Sequence, residues 1–119
     1  DNHFDLILCN HVLEHITDDH KAMSEIFRVL RKGGKAILQV PLDQNRPHTF
    51  EDFSIIDPKE RTENFGQYDH VRIYGVDFFD RLEKVGFKTE KIDFTAELTR
   101  EEIERFALPK GEWIPLGIK

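Results

Sequence analysis

The chain of 119 residues contains one cysteine, one tryptophan and no long hydrophobic run. A single cysteine, Cys9, excludes an internal disulfide framework and a zinc site built from several cysteines, and it suits a reducing compartment. No apolar stretch approaches the roughly 18 residues that a membrane-spanning helix needs. No charged segment followed by an apolar region opens the chain, so we expect no secretory signal and a cytoplasmic location.

Basic residues are fewer than acidic ones. Lys and Arg number 17 against 23 Asp and Glu, which gives a formal net charge of −6. Because nucleic-acid-binding domains are usually basic on one face, we expect no nucleic-acid partner. The length fits a single domain spanning residues 1–119. The chain begins at Asp1 and enters an apolar run at once, which leads us to expect a truncated piece of a larger domain.

Two apolar segments flank an amphipathic helix in the first forty residues. Phe4–Cys9 is almost continuously apolar, which predicts a strand covered on both faces. Residues 17–32 carry apolar side chains at helical spacing, with acidic caps at the start and Gly33 and Gly34 as the stop. Lys35–Val40 is the second strand. Strand, helix and strand at this spacing predict parallel strands and an α/β fold.

The remainder of the chain divides into an irregular part and a regular part. Leu42–Tyr74 has no sustained hydrophobic period, which predicts a long insertion of the kind that forms lids and binding loops. A short helix near Pro58–Asn64 is expected inside it. The later elements predicted are a helix over Gly75–Val85, a strand over Phe87–Phe94, a helix opened by the capping box Thr99-x-x-Glu102, and a strand over Trp113–Ile118. Pro115 lies in the last of these strands and is poorly suited to a central position in a sheet.

Polar residues directly follow the first strand, in the segment Asn10–Ile16. Ligands of open α/β sheets bind at the carboxyl ends of the strands, so these residues are candidate ligand contacts. His11, Glu14 and His15 also match the H-x-x-E-H signature of inverted zinc peptidases. That site needs a helix to align the two imidazoles, and the short distance to the next helix cap leaves no room for one. We therefore expect no metal site and retain a zinc hydrolase as a remote alternative.

Four segments in order resemble a known family. Phe4–Ile16, with its Phe-Asp start and Leu-Glu-His step, resembles the fourth-strand region of class I S-adenosylmethionine-dependent methyltransferases, closest to the methyltransferase type 11 group. The resemblance continues through Ile26–Pro41, His70–Gly75 and Leu82–Phe87. It implies a Rossmann-like sheet of strand order 3-2-1-4-5-7-6, of which strands four to seven are present. The family's Gly-rich loop and ribose-binding acid have no counterpart here.

The resemblance implies S-adenosyl-L-methionine as cofactor and places two residues beside it. Asn10 would end the fourth strand next to the methionine part of the cofactor, and His11 would lie at the same rim. Residues 42–74 would form the insertion or lid over the acceptor side. No residue is assigned as catalytic, but His15 or His70 could serve as the base for a hydroxyl acceptor.

The same resemblance implies that His70, Arg72 and Tyr74 orient a small-molecule acceptor. The expected function is methyl transfer by a longer parent protein, with this chain inactive alone because the Gly-rich loop is missing. A non-catalytic binding or assembly module is the alternative. A strand over residues 4–10 that lacks its neighbour would be an exposed apolar edge, so we expect self-association through it.

Overall fold

Four strands form one mixed sheet in the computed structural model, which describes residues 1–119. In chain order the elements are β1 (Phe4–Leu8), α1 (Asp19–Val29), β2 (Leu30–Ile37), β3 (Phe50–Glu51), α2 (Pro58–Phe65), β4 (Arg72–Ile73), α3 (Phe78–Val85), β5 (Lys88–Ile92), α4 (Arg100–Arg105) and β6 (Ile114–Ile118), with 3-10 turns at Leu13–His15 and Phe94–Glu97. The spatial order of the sheet is β1-β2-β6-β5. β1 and β2 are parallel, and β6 is antiparallel to both of its neighbours. This arrangement confirms the α/β fold and the strand order 4-5-7-6 that the resemblance implies.

The first helix starts as predicted and ends early. The carboxylate of Asp18 accepts a hydrogen bond of 2.9 Å from the amide of Lys21, which is the expected N-cap. The helix ends at Val29 rather than Lys32, because Leu30 is fully buried and pairs with Phe4 of β1. Gly33 has the left-handed conformation predicted for it, with φ of +79°, but it lies in the irregular part of β2.

The last strand occupies a central position despite its proline. Pro115 is fully buried in β6, between β2 and β5. Its carbonyl oxygen accepts a hydrogen bond of 3.0 Å from the amide of Leu38. The ladder between β2 and β6 covers residues 116–118 of β6, so the missing amide lies just beyond its end. The expectation that Pro115 disfavours a central strand is wrong for this reason.

The insertion contains regular structure of its own. β3 and β4 pair antiparallel, and α2 confirms the short helix expected near Pro58–Asn64. Asp57 caps that helix, and Gly66 ends it in the left-handed conformation with φ of +87°. The ends of the insertion meet, because Leu42 and Tyr74 form a parallel bridge. The two short strands were not predicted, since two residues are too few to show a period.

The core lies on one side of the sheet. Its ten buried side chains come from strands, helices and the turn after β1: Leu13, Met23, Leu30, Ala36, Leu38, Val40, Tyr74, Phe78, Leu82 and Phe87. The opposite face of β1 is open, with Phe4, Leu6 and Leu8 exposed by 48%, 55% and 64%. The prediction that this strand is covered on both faces is therefore wrong for this chain, because helices cover only one of them. None of the helices has the length and apolar composition required to span a bilayer.

Candidate functional site

The segment after β1 turns at the carboxyl end of the parallel strands. Hydrogen bonding between this segment and the β2 segment continues past the end of β1. The amide of Cys9 donates to the carbonyl oxygen of Ile37, and the amide of His11 donates to that of Gln39. His11 then adopts a positive φ of 54°, and a 3-10 turn carries Leu13 into the core. Asn10 and His11 are exposed at this edge of the sheet. Their position at the rim agrees with the placement that the sequence led us to expect.

Glu14 is the most unusual side chain of this turn. It is 1% exposed, and neither of its carboxylate oxygens has a hydrogen-bond partner. Nδ1 of His11 lies 3.5 Å and Nε2 of His15 lies 3.8 Å from Oε1 of Glu14. Burial, and after it the charge of Glu14, raises the pKa of the Cys9 thiol. Glu14 belongs to both the zinc-peptidase signature and the Leu-Glu-His step, but neither sequence pattern reveals that its side chain is buried.

The insertion brings the two candidate bases together. The rings of His15 and His70 lie edge to face with centroids 4.7 Å apart. Nδ1 of His15 is 3.2 Å from a carboxylate oxygen of Asp69, and Nδ1 of His70 is 3.2 Å from the carbonyl oxygen of Phe65. His70 is buried, whereas the side chain of His15 remains 29% exposed. A hydrogen bond from Gln67 lowers the pKa of Asp69, and its proximity to His15 acts in the same direction.

Arg72 holds the turn in place from inside the protein. It is 1% exposed, and its guanidinium donates to the carbonyl oxygens of Leu13 and Thr17, each at 2.9 Å. Its Nε donates to Glu51 at 2.9 Å. These partners occupy most of the donors of Arg72, which argues against its expected role as an acceptor contact. We assign it instead to the positioning of the turn after β1.

Tyr74 is also internal. It is fully buried, and its hydroxyl donates to Asp19 at 2.8 Å. Burial raises the pKa of the Tyr74 hydroxyl well above its ordinary value, and the charge of Asp19 adds to the shift. Tyr74 has no exposed surface and its hydroxyl already donates to Asp19, so it is not accessible to an acceptor in this conformation. Three residues were expected to contact the acceptor. His70 and Arg72 line an open cleft, whereas Tyr74 does not. Of the two that line it, His70 has the fewer internal hydrogen bonds.

A network of two carboxylates and two guanidinium groups lies beneath the turn. Arg81 donates to Asp19 at 2.8 Å and to Glu51 at 3.0 Å, and Arg72 completes the set. Burial alone would raise the pKa of Glu51, but hydrogen bonds from Arg81 and Arg72 outweigh it and lower that pKa. Arg81 was missed from the sequence, because its position on α3 reads as an ordinary exposed helix residue.

An open cleft lies mainly between the two ends of the insertion and is closed on one side by the loop before β6. Its volume is about 370 Å³, and its lining residues are Pro41, Leu42, Asp43, Phe65, His70, Arg72, Ile73 and Glu112. The cleft combines apolar walls with the ring of His70 and two carboxylates. Through His70, whose ring contacts that of His15, the cleft lies beside the turn after β1.

The zinc-peptidase arrangement is not formed. Its signature needs His11 and His15 on one continuous helix, whereas the helical part of this segment is the three-residue turn Leu13–His15. His11 precedes that turn with a positive φ. The two imidazoles therefore do not share a helix face.

One family model matches part of the sequence. Residues 1–38 match the family model described as Methyltransferase domain, Methyltransf_11. The match covers β1, α1 and β2, including the turn that holds Glu14 and His15. No curated protein matches the sequence.

Solved structures share the fold along the whole chain. An S-adenosylmethionine-dependent methyltransferase from Mesorhizobium loti aligns with a TM-score of 0.61 and 16% identity, over 99% of this chain and 62% of that one. The YcgJ protein from Bacillus subtilis aligns with a TM-score of 0.56 and 16% identity, over 100% and 65%. Phosphoethanolamine N-methyltransferase 2 from Haemonchus contortus, in complex with phosphomonomethylethanolamine and S-adenosylhomocysteine, aligns with a TM-score of 0.56 and 18% identity, over 99% and 34%. The chain thus spans less than two thirds of the length of these structures, and it has the fold of one part of them.

Proposed function

We propose that this chain forms the acceptor-side part of an S-adenosylmethionine-dependent methyltransferase that acts on a small molecule. One observation carries the proposal. The sheet order β1-β2-β6-β5, with β6 antiparallel, places the polar turn Asn10–His15 at the carboxyl end of β1. Open α/β sheets bind their ligands at that edge. The match of residues 1–38 to the methyltransferase family model supports the same reading.

The residues present fit one end of the cofactor. The side chains of Asn10 and His11 are exposed, and the main chain of Asn10 makes no hydrogen bond. Free amide and carbonyl groups at this rim suit the ammonium and carboxylate of an amino acid, as in the methionine part of S-adenosyl-L-methionine. No Gly-rich loop follows a strand in residues 1–119. We therefore propose a single partial domain whose own affinity for the cofactor is weak and which is inactive by itself.

The insertion contributes the acceptor side. We propose that residues 42–74 act as a lid and that the cleft beside His70 binds the acceptor. The bound cofactor supplies an electrophilic methyl group on a sulfonium, so the protein mainly orients the acceptor and excludes water. For a hydroxyl acceptor, His15 and His70 are the groups able to take its proton. Arg72, which borders the cleft, and the buried Tyr74 support this region through their internal hydrogen bonds.

A nuclear magnetic resonance titration tests the cofactor part of the proposal. S-adenosylhomocysteine at millimolar concentration is expected to shift the amide signals of Asn10, His11 and Val12. Adenosine alone is the control and should leave these signals in place, because this chain lacks the residues that would hold it. Unshifted amides in the presence of S-adenosylhomocysteine would contradict the proposal. Micromolar affinity in a calorimetric titration would contradict the claim that the chain binds weakly and would call for a direct methyl-transfer assay.

Self-association is the second part of the proposal, and a non-catalytic assembly module is the second candidate function. Both are favoured by β1, which pairs on one side only and exposes Phe4, Leu6 and Leu8. An unpaired apolar edge is a template for another strand, here that of a second copy. We further propose a cytoplasmic location and no nucleic-acid partner, in line with the single cysteine and the net charge of −6.

Light scattering with size-exclusion chromatography tests the association. Wild-type protein is expected to elute as a dimer or a larger species, and Leu6→Lys should shift it to the monomer because a charge would be buried in the new interface. Ile56→Lys is the matched control, since Ile56 is 74% exposed but lies in the insertion. A monomeric wild-type protein, or an equal effect of both substitutions, would contradict association through β1.

A further inference from the structure

We propose that Glu14, His15 and His70 form a binding site for one divalent transition-metal ion. One ligand atom from each residue lies within 4.8 Å of the other two. Ligands that surround a zinc-sized ion at about 2.1 Å are ~3–3.5 Å apart. The three groups therefore need to approach one another by no more than ~1.3–1.8 Å, a distance that side-chain rotations cover. The sequence led us to expect no metal, because the third ligand comes from the distant insertion.

The state of Glu14 is the strongest argument for a cation. Its side chain is buried, and both of its oxygens are without a hydrogen-bond donor. A buried carboxylate is costly unless a donor or a positive charge accompanies it. The contacts at 3.5 Å from His11 and 3.8 Å from His15 are too long for ordinary hydrogen bonds. A cation bound to Glu14 would supply the missing partner.

The surroundings of the two imidazoles orient them as ligands. Nδ1 of His15 lies 3.2 Å from Asp69, and Nδ1 of His70 lies 3.2 Å from the carbonyl oxygen of Phe65. Both acceptors favour the tautomer with its proton on Nδ1, which leaves the lone pair on Nε2. Carboxylates and main-chain carbonyls are the usual outer partners of metal-bound histidines. Nε2 of His15 is also the nitrogen that faces Glu14.

The ligand set selects the class of metal. Two imidazoles with one carboxylate suit Zn²⁺, Mn²⁺, Co²⁺ or Fe²⁺, whereas Mg²⁺ and Ca²⁺ prefer oxygen ligands throughout. Three protein ligands leave at least one coordination position open. The side chain of His15 is partly exposed and His70 borders the cleft, so water or an acceptor can reach that position.

If the proposed methyl transfer holds, a metal ion bound by these three residues would restrict the acceptor to hydroxyl compounds. A divalent ion lowers the pKa of a coordinated hydroxyl group, whose proton then leaves to solvent. The oxygen lone pair forms the new bond to the methyl carbon, and the electron pair of the breaking carbon–sulfur bond goes to sulfur. The acceptor would be a hydroxyl compound, and the two histidines would act as ligands rather than as bases.

Titration of the metal-free chain with Co²⁺ tests the site directly. We expect a visible absorption band that saturates at one equivalent, and matching calorimetric stoichiometry with Zn²⁺. Glu14→Gln keeps the shape of the side chain and removes its charge, so affinity should fall at least ~10-fold. His15→Gln should have a similar effect. His20→Gln is the control, because His20 is exposed on α1 and outside the cluster.

Two results would overturn the site. One is the absence of stoichiometric binding by wild-type protein, and the other is binding that persists unchanged in both Glu14→Gln and His15→Gln. Circular dichroism of each variant confirms that it is folded, and His15 is exposed enough for its substitution to be tolerated. Neither cofactor nor acceptor is present in this experiment. A failure here leaves the proposed methyl transfer standing, whereas a failure of the S-adenosylhomocysteine titration leaves the metal site standing.

Discussion

Nη1 of Arg72 donates a hydrogen bond of 2.9 Å to the main-chain carbonyl of Leu13, which lies 59 residues earlier in the chain. The bond joins β4 of the insertion to the turn that follows β1. The amide of Val71 reinforces it by donating to the carbonyl of Glu14 at 3.0 Å. The geometry of the candidate site therefore depends on the insertion, although most of its residues belong to the turn.

Replacing Arg72 with lysine should weaken the whole protein. The guanidinium donates to Glu51 and to the main-chain carbonyls of Leu13, Ile16 and Thr17. One ammonium nitrogen cannot reach all of these acceptors at once, and the half-buried carboxylate of Glu51 would lose a partner. We expect the free energy of unfolding in urea to fall by about 3 kcal/mol. Arg31→Lys is the control, because Arg31 forms an exposed ion pair with Asp5 and should change stability by less than ~1 kcal/mol. Equal effects of the two substitutions would contradict the anchoring role.

Removing the hydroxyl of Tyr74 should have a smaller but measurable effect. Tyr74→Phe deletes the hydrogen bond of 2.8 Å to the buried Asp19 and leaves Arg81 as the remaining short partner of that carboxylate. We expect a loss of about 1–2 kcal/mol in the free energy of unfolding. Tyr68→Phe is the matched control, since Tyr68 is 62% exposed. The assignment would fail if thermal denaturation gave the two variants the same stability.

The network around Glu51 predicts a loss of stability in acid. Hydrogen bonds from Arg81 and Arg72 outweigh burial and lower the pKa of Glu51 in the folded state. The unfolded chain then binds the proton more readily, so stability rises with pH. This contribution is complete above the unfolded glutamate pKa of about 4.3 and disappears as pH falls through the lower folded pKa.

Urea unfolding between pH 7 and pH 3 measures that contribution. The difference in stability between wild-type protein and Glu51→Gln should shrink as the pH falls below about 4.3. Glu63→Gln is the comparison, because Glu63 is exposed on α2 and forms no ion pair. A difference that stays constant across the range would show that Glu51 contributes nothing through its charge.

Gly75 should tolerate no side chain. A Cβ atom at this position would lie 2.6 Å from the carbonyl oxygen of Arg46 and 2.7 Å from the carbonyl carbon of His48. Both contacts are with main chain, so no rotation relieves them, and Gly75→Ala should cost up to ~3 kcal/mol. A Cβ atom at Gly66 would have no atom within 4 Å. Gly66→Ala should therefore lower the free energy of unfolding only through the strain of its left-handed φ, by about 1 kcal/mol. A lower melting temperature for Gly66→Ala than for Gly75→Ala would contradict this ranking.

Local signals account for the elements that could be predicted. The cap at Asp18, the capping box at Thr99 and the stop at Gly86 each act within a few residues, and the helices at these positions form as expected. Elements decided by distant pairing were harder to predict. The early end of α1 follows from the pairing of Leu30 with Phe4, which no local pattern reveals.

The candidate site shows the same division. The sequence located the rim at Asn10 and His11 and singled out His15 and His70, but it gave no reason for the two histidines to meet. It also suggested acceptor contacts for Arg72 and Tyr74, which the structure buries. The side chains of Arg72 and Tyr74, two and four residues after His70, could face either a cleft or the core. The packing of distant segments determines which, and the sequence pattern does not show it.

The sequence by itself determined the helix and strand types, the parallel start of the sheet and the position of the polar turn after β1. These properties depend on hydrophobic period, caps and turns, which act over a few residues. Only the tertiary structure decided that Pro115 is central, that one face of β1 is open and that Glu14 is buried without a donor beside His15 and His70. Each of these depends on contacts between segments far apart in the chain, whose packing no local pattern specifies.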